Sequence, residues 1–239
     1  MSQKLLVVGA HSADFVWRSA GTVAKFIEQG GEARVLALSY GERGESGELW
    51  KENPNRTEDD VKKIRHQQAL EAANIIGASF ESFDWGDYPM ILNDERVAQL
   101  TALVREFEPD VILTHSEKDP FNPDHPLAFT AVQRARLLAA GAGVASAFKN
   151  IIPPAWYSFE PHQPELSSFV PDTFIDITSV MDKKIAAMDC MGAQNYLKSY
   201  YTELASRRAN HARRISGKQG IKFAEAHQSM VPRVLSNIL

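Results

Sequence analysis

Four apolar residues in succession, Leu5 to Val8, are followed from Phe15 to Gln29 by apolar positions at helical spacing, among them Phe15, Val16, Val23, Phe26 and Ile27, before Gly30-Gly31 interrupts the pattern. Lys4 to Gly9 is therefore predicted as a buried strand and Phe15 to Gln29 as a helix. Ala33 to Ser39 reads as the next strand. A strand, a helix and a strand joined by short connections is the sequence form of a right-handed crossover in a parallel sheet. The pattern repeats. Thr57, followed by acidic residues, caps a helix running to about Ile76, Ser79 to Asp84 is a short strand, Asp94 to Phe107 a helix and Asp110 to Thr114 a strand. Pro126 to Ala140 is helical, Gly141 to Ala147 is a surface connection, Ala155 to Phe159 and Thr173 to Ile177 are strands, and helical patterns dominate from Met181 to His211. The fold class predicted is α/β, Rossmann-like, a mainly parallel sheet flanked by helices.

Composition narrows the picture. The 239 residues, 44% of them hydrophobic, fit one domain over positions 1–239, since a single core serves up to roughly 250 residues. A net charge of -4 provides no basic field for a phosphate backbone, so nucleic acid is excluded as the main partner. No apolar run approaches the ~20 residues that cross a bilayer, which leaves no membrane partner. One cysteine, Cys190, cannot form an internal disulfide, and the N-terminus has no cleavable-signal pattern. A cytoplasmic location is expected.

In sheets of this kind ligands collect beyond the carboxyl ends of the strands. Three post-strand segments carry chemistry: Ala10-His11-Ser12-Ala13-Asp14, the stretch Tyr40 to Glu48, and His115 through Asn122-Pro123-Asp124-His125. The segment from Tyr40 to Arg56 is too rich in Gly, Glu and Asn to be a core element, and loops of that length are often functional. His11, Asp14 and His125 supply two imidazoles and a carboxylate, a set that suits a facially bound zinc or iron(II) with open positions. The spacing alone leaves another reading open: Asp14 and Ser12 are good N-caps, and a lone His commonly has no ligand.

The strand followed by AHSAD and a helix, together with Asn122-Pro123-Asp124-His125, resembles the paired AHPDDE and HPDH motifs of the PIG-L (LmbE-like) family. The GERGESGELW segment, Arg65, the Gly86-Asp87-Tyr88-Pro89 turn and the late Phe223-Ala224-Glu225-Ala226 follow in family order. The resemblance implies the PIG-L fold and a divalent metal, zinc first and iron(II) as the alternative, on His11, Asp14 and His125. Two positions depart from the family. Its first Asp, the base for hydrolysis, is Ala13 here, and the first His of HPDH, which polarises the scissile carbonyl, is Asn122. Proton transfers of this kind contribute about a hundredfold to ten-thousandfold each, so a deacetylase or amidohydrolase is the alternative function rather than the first.

HSAD, GERGES and Tyr157-Ser158-Phe159-Glu160-Pro161-His162-Gln163-Pro164-Glu165 are similar to the 4-oxalomesaconate (4-carboxy-2-hydroxymuconate) hydratases of gallate and protocatechuate breakdown. That resemblance implies a hydro-lyase acting on a small anionic substrate, with Glu48 activating water and His162 protonating carbon. Polycarboxylates call for arginine, whose planar fork matches a carboxylate. Arg43 and Arg65 are the first choices, with Asn122 as a further substrate contact. Arg18, Lys118 and Arg208 rank below them, and His115 is a candidate to support the metal ligands. A homo-oligomer is the default expectation.

Overall fold

The computed structural model describes residues 2–232 and 234. Its strands are β1 (Lys4–Gly9), β2 (Glu32–Ala37), β3 (Ser79–Ser82), β4 (Val111–Thr114), β5 (Ala155–Phe159), β6 (Thr173–Asp176) and β7 (Ala224–Ser229). The helices are α1 (Asp14–Glu28), α2 (Gly47–Glu52), α3 (Glu58–Ile76), α4 (Asp94–Phe107), α5 (Asp124–Ala140), α6 (Met181–Asp189) and α7 (Leu197–Ser216). The strands form one sheet in the order β3-β2-β1-β4-β5-β7-β6. From β3 to β5 every pairing is parallel, and β7 runs antiparallel to both of its neighbours. The Rossmann-like, mainly parallel sheet is thus observed.

Alternation along β1 explains the two cores. Leu5 and Val7 face one side, where α1, α3, α6 and α7 pack. Leu6 and Val8 face the other side, against α4 and α5, as the two-residue period of a strand requires. Thr57 closes a reciprocal capping box with Asp60, and Gly77 ends α3 in the left-handed region at φ 87°, so both ends of that helix follow its local sequence.

Two elements differ from the sequence reading. The Tyr40–Arg56 loop contains the short helix α2, held by buried Leu49 and by a 2.7 Å hydrogen bond from Trp50 Nε1 to the Glu42 carbonyl. Strand β7 was not expected, because AEAHQS lacks the branched residues that mark strands. Its polar side chains are buried instead. Glu225 accepts the backbone N–H groups of Gly21 (3.0 Å) and Thr22 (2.7 Å) and a 2.5 Å bond from Lys184, while His227 Nε2 lies 2.8 Å from Thr22 Oγ1. These contacts fasten β7 to α1, the helix that begins at Asp14. No helix among the described residues is long and apolar enough to cross a membrane.

Candidate active site

Because β1, β2 and β4 are parallel, the segments after them meet at one edge of the sheet. Gly41 makes the approach possible: its φ is +72°, and a Cβ there would lie 3.1 Å from His11 Cβ. Ala13 holds the N-cap position of α1 with no side-chain cap. Asp14 therefore does not cap the helix and turns instead toward the histidines.

The donor atoms of His11, Asp14 and His125 all lie within 4.8 Å of one another. His11 Nδ1 stands 3.5 Å from Asp14 Oδ2, and His125 Nε2 stands 3.6 Å from Asp14 Oδ1. Each imidazole is aimed by a carboxylate on its other nitrogen. Asp124 Oδ2 is 3.2 Å from His11 Nε2 and Asp119 Oδ2 is 2.8 Å from His125 Nδ1, the arrangement that fixes tautomer and orientation in metal-binding histidines. Among the described residues His11 Nδ1 and His125 Nε2 are buried without a hydrogen-bond partner. Buried polar atoms are rarely left so, and a cation between them would satisfy both. The residues present fit a divalent metal.

Electrostatics agree with that fit. Burial alone would lower the His11 pKa, but Asp124, Asp14 and Glu45 hold it up at about 10, so this cluster of carboxylates demands a positive charge. Asp14, which burial would raise, is held well below the usual carboxylate range by His115 and His125. Burial, followed by the neighbouring His115 imidazole, pushes His125 well below its ordinary value, which favours the form that can donate a lone pair. His115 stacks on His125 with ring centroids 3.9 Å apart, and its Nε2 is 3.0 Å from Asp14 Oδ2. It packs beside the candidate ligands and is not one of the three whose donor atoms converge.

Asn122 is buried at this edge. Its Nδ2 donates to Glu45 Oε1 at 2.8 Å and its Oδ1 accepts the Asp124 N–H at 3.1 Å. Glu45 Oε1 lies 3.8 Å from His11 Nδ1, and Glu45 Oε2 accepts from Gln194 Nε2 at 2.5 Å. Gln194 Oε1 in turn accepts from Arg65 Nη2 at 3.0 Å and Trp17 Nε1 at 3.3 Å. Arg65 is fully buried and also bonds Gln68 and the Tyr40 carbonyl, so it reaches the site through Gln194.

His162 is half-buried. Its Nδ1 lies 2.8 Å from the Tyr201 hydroxyl, and burial, with Arg18 adding to it, pushes its pKa down to about 4. It borders a cleft of about 570 Å³ together with Glu160, Tyr200, Arg207 and Arg208.

Two sequence candidates face elsewhere. Arg43 binds Glu58 with Nε (2.9 Å) and Nη2 (3.1 Å) and the Asp87 carbonyl with Nη1 (2.9 Å), which pins the loop to α3 and the Gly86 turn. Glu48 lies on α2 with its side chain 48% exposed, 2.8 Å from Lys51 Nζ. The carboxylate set beside His11 from that loop is Glu45. Sequence reasoning passed over Asp119, Gln194 and Tyr201 and underrated Arg18, whose side chain is only 7% exposed and lies 3.5 Å from Asp14 Oδ1. A signal existed for the acids, since Asp124 sits inside NPDH and Asp119 six residues before His125.

Comparison with known proteins bears on this geometry. Residues 6–136 match the family model described as GlcNAc-PI de-N-acetylase, PIG-L. A 4-oxalmesaconate hydratase of Pseudomonas putida is 48% identical over 98% of this chain and 91% of its own length. A 1D-myo-inositol 2-acetamido-2-deoxy-alpha-D-glucopyranoside deacetylase of Rhodococcus jostii is 27% identical, with 85% of each chain covered. Among solved structures, the 4-carboxy-2-hydroxymuconate hydratase GalB of Pseudomonas putida superposes with a TM-score of 0.95 at 47% identity, covering 99% of this chain and all of that one. The N,N'-diacetylchitobiose deacetylase of Pyrococcus horikoshii shares the fold at a TM-score of 0.79 and 17% identity, covering 96% of this chain and 84% of the other.

Proposed function

The chain belongs to the PIG-L family, and from that premise we propose that it is a 4-oxalmesaconate (4-carboxy-2-hydroxymuconate) hydratase, a hydro-lyase that adds water across a conjugated double bond. The observation that carries this reading is the 48% identity to such a hydratase over 98% of the chain. Ala13 is consistent with it: the residue between the two N-terminal candidate ligands is a buried methyl group, which can neither accept a proton from water nor give one to a leaving amine. The deacetylases are more distant relatives at 27% identity. As an enzyme of small-molecule metabolism, the protein would work in the cytoplasm.

His11, Asp14 and His125 would hold the metal. The nitrogen and oxygen donor set suits zinc first, with iron(II) sharing it. When bound, the metal supplies a Lewis acid for an oxygen on which negative charge develops.

In the proposed reaction the oxygen of water bonds to the carbon β to a carbonyl or carboxylate, a base removes its proton, and the π electrons move onto the conjugated oxygen. The electron pair then returns to the α carbon, which takes a proton from an acid on another side of the bond. Glu48 is proposed as the base and His162 as the acid. Among the described residues Glu48 is tied only to a surface lysine three residues away, so turning it inward breaks one exposed ion pair worth ~0–1 kcal/mol. His162 is aimed by Tyr201, and the negative charge of an arriving substrate would raise its low pKa toward the range an acid needs. Asn122 is proposed as a substrate contact beside Glu45, Arg65 would support Glu45 from beneath through Gln194, and Arg43 fixes the loop that carries both glutamates.

The test is a paired assay on purified, zinc-loaded protein. Loss of muconate-type absorbance with 4-oxalmesaconate, and no acetate from N-acetylglucosaminyl substrates, is the expected result. Acetate release without loss of absorbance would return the protein to the deacetylases.

A further inference from the structure

We propose that Arg18 is a substrate-carboxylate receptor built into the floor of the site. The inference rests on the hydratase reading and deepens it. Its first ground is an imbalance of partners. A guanidinium carries five N–H donors, and a buried one is normally paired. Among the described residues Arg18 makes a single hydrogen bond, from Nη1 to the Glu160 carbonyl at 3.2 Å. Its Nε is buried with no partner, 3.5 Å from Asp14 Oδ1.

The acids around it are already committed. Asp14 supplies a candidate metal ligand, Asp119 holds His125, and Glu45 is bound by Asn122 and Gln194. Both oxygens of Glu160 are taken by Arg208. Arg18 thus has an ion pair with Asp14 at 3.5 Å but, beyond the Glu160 carbonyl, no hydrogen-bonded acceptor among the described residues, and a planar carboxylate matches the unspent edge of the fork.

The second ground is position. Arg18 lies four residues after Asp14 on α1, so both project from one face, about 6 Å apart along the axis. Its guanidinium stands 5.9 Å from the Phe159 ring centroid. The adjacent Trp17 stacks at 5.7 Å on Tyr201, whose hydroxyl meets His162. A carboxylate held by Arg18 would therefore place the adjoining carbons between the candidate metal ligands and the proposed acid. Lys184 fixes this part of α1 by donating to the Trp17 carbonyl at 2.9 Å.

The experiment compares wild type, Arg18→Gln and Arg18→Lys, each zinc-loaded, by steady-state kinetics with 4-oxalmesaconate and by calorimetric titration with tricarballylate, a non-reactive tricarboxylate. In Arg18→Gln, KM and the tricarballylate Kd should both rise about 10- to 100-fold, the value of one charge-assisted pair, with zinc content unchanged. Arg18→Lys should recover part of the loss. For Arg18→Ala, added guanidinium should lower KM while leaving wild type unaffected, a rescue that a purely structural arginine would not give. KM and Kd within twofold of wild type in the Gln variant, or, should that variant not fold, in Arg18→Met, would overturn the proposal. A wild type that binds tricarballylate through Arg18 but never hydrates 4-oxalmesaconate would sink the hydratase reading and leave the anion receptor standing.

Discussion

Replacing Asp119 with asparagine removes one negative charge and changes one atom, at a group that touches the candidate metal site only through His125. Asp119 Oδ2 lies 2.8 Å from His125 Nδ1, and Oδ1 accepts the Phe121 N–H at 3.0 Å. An asparagine cannot serve both. With its oxygen toward Phe121, its NH2 faces Nδ1, which must then accept, and the imidazole proton moves to Nε2, the atom that faces Asp14. With its oxygen toward His125, the NH2 opposes the Phe121 N–H and leaves that donor unmet. Either arrangement weakens His125 as a ligand without shortening any side chain. Losses from altering such supporting groups run about 10- to 100-fold in metal affinity, about 1.4–2.7 kcal/mol. The tautomer conflict places Asp119→Asn toward the upper end. Competition titration of zinc against a chromophoric chelator measures the change, with circular dichroism as the control for folding. A zinc affinity within twofold of wild type would refute the claim that Asp119 sets the donor face of His125.

Other substitutions probe separate parts of the account. Glu48→Gln should lower kcat by about a hundredfold or more with zinc retained, and His162→Ala should slow carbon protonation, read as a changed solvent isotope effect; if Glu45→Gln alone abolishes turnover while Glu48→Gln is near wild type, the base is Glu45. Arg105 is buried and donates to the carbonyls of Leu138, Ala139, Gly141, Val144 and Phe148, so Arg105→Met should cost about 2–4 kcal/mol in urea unfolding, and a loss under about 0.5 kcal/mol would contradict that clamp. Burial, with Asp87 beside it, pushes the Glu42 carboxyl up to about 7 from its ordinary 4.5. The folded state thus keeps a proton that the unfolded chain releases, so the group's stabilising contribution is full below pH 4.5 and is lost as pH rises through about 7. The stability of wild type relative to Glu42→Gln should fall across that window, and a pH-independent difference would remove the assignment.

The parallel half of the fold was legible because its strands are buried runs and its helices carry their own punctuation, Thr57 at one end of α3 and Gly77 at the other. Strand β7 was not legible, since its stability comes from Glu225 and His227 meeting α1, residues about two hundred positions away. The same limit governs the site. Asn-Pro-Asp-His and His-Ser-Ala-Asp announced candidate ligands by motif, but only tertiary structure separates Glu45, beside His11, from Glu48, three residues on and beside Lys51. Arg18 illustrates the point most directly. Its helical position was compatible with a solvated surface, and the burial that makes it chemically significant comes from Phe159, Glu160 and Tyr201, which lie far along the chain.

If this PIG-L chain adds water to carbon, incubating the zinc-loaded enzyme with 4-oxalmesaconate in heavy-oxygen water should leave one heavy oxygen on a newly saturated carbon of the product. The labelled product should form at a rate that chelation abolishes and zinc restores. A product without the label, or turnover indifferent to chelation and to His125→Ala, would contradict that addition.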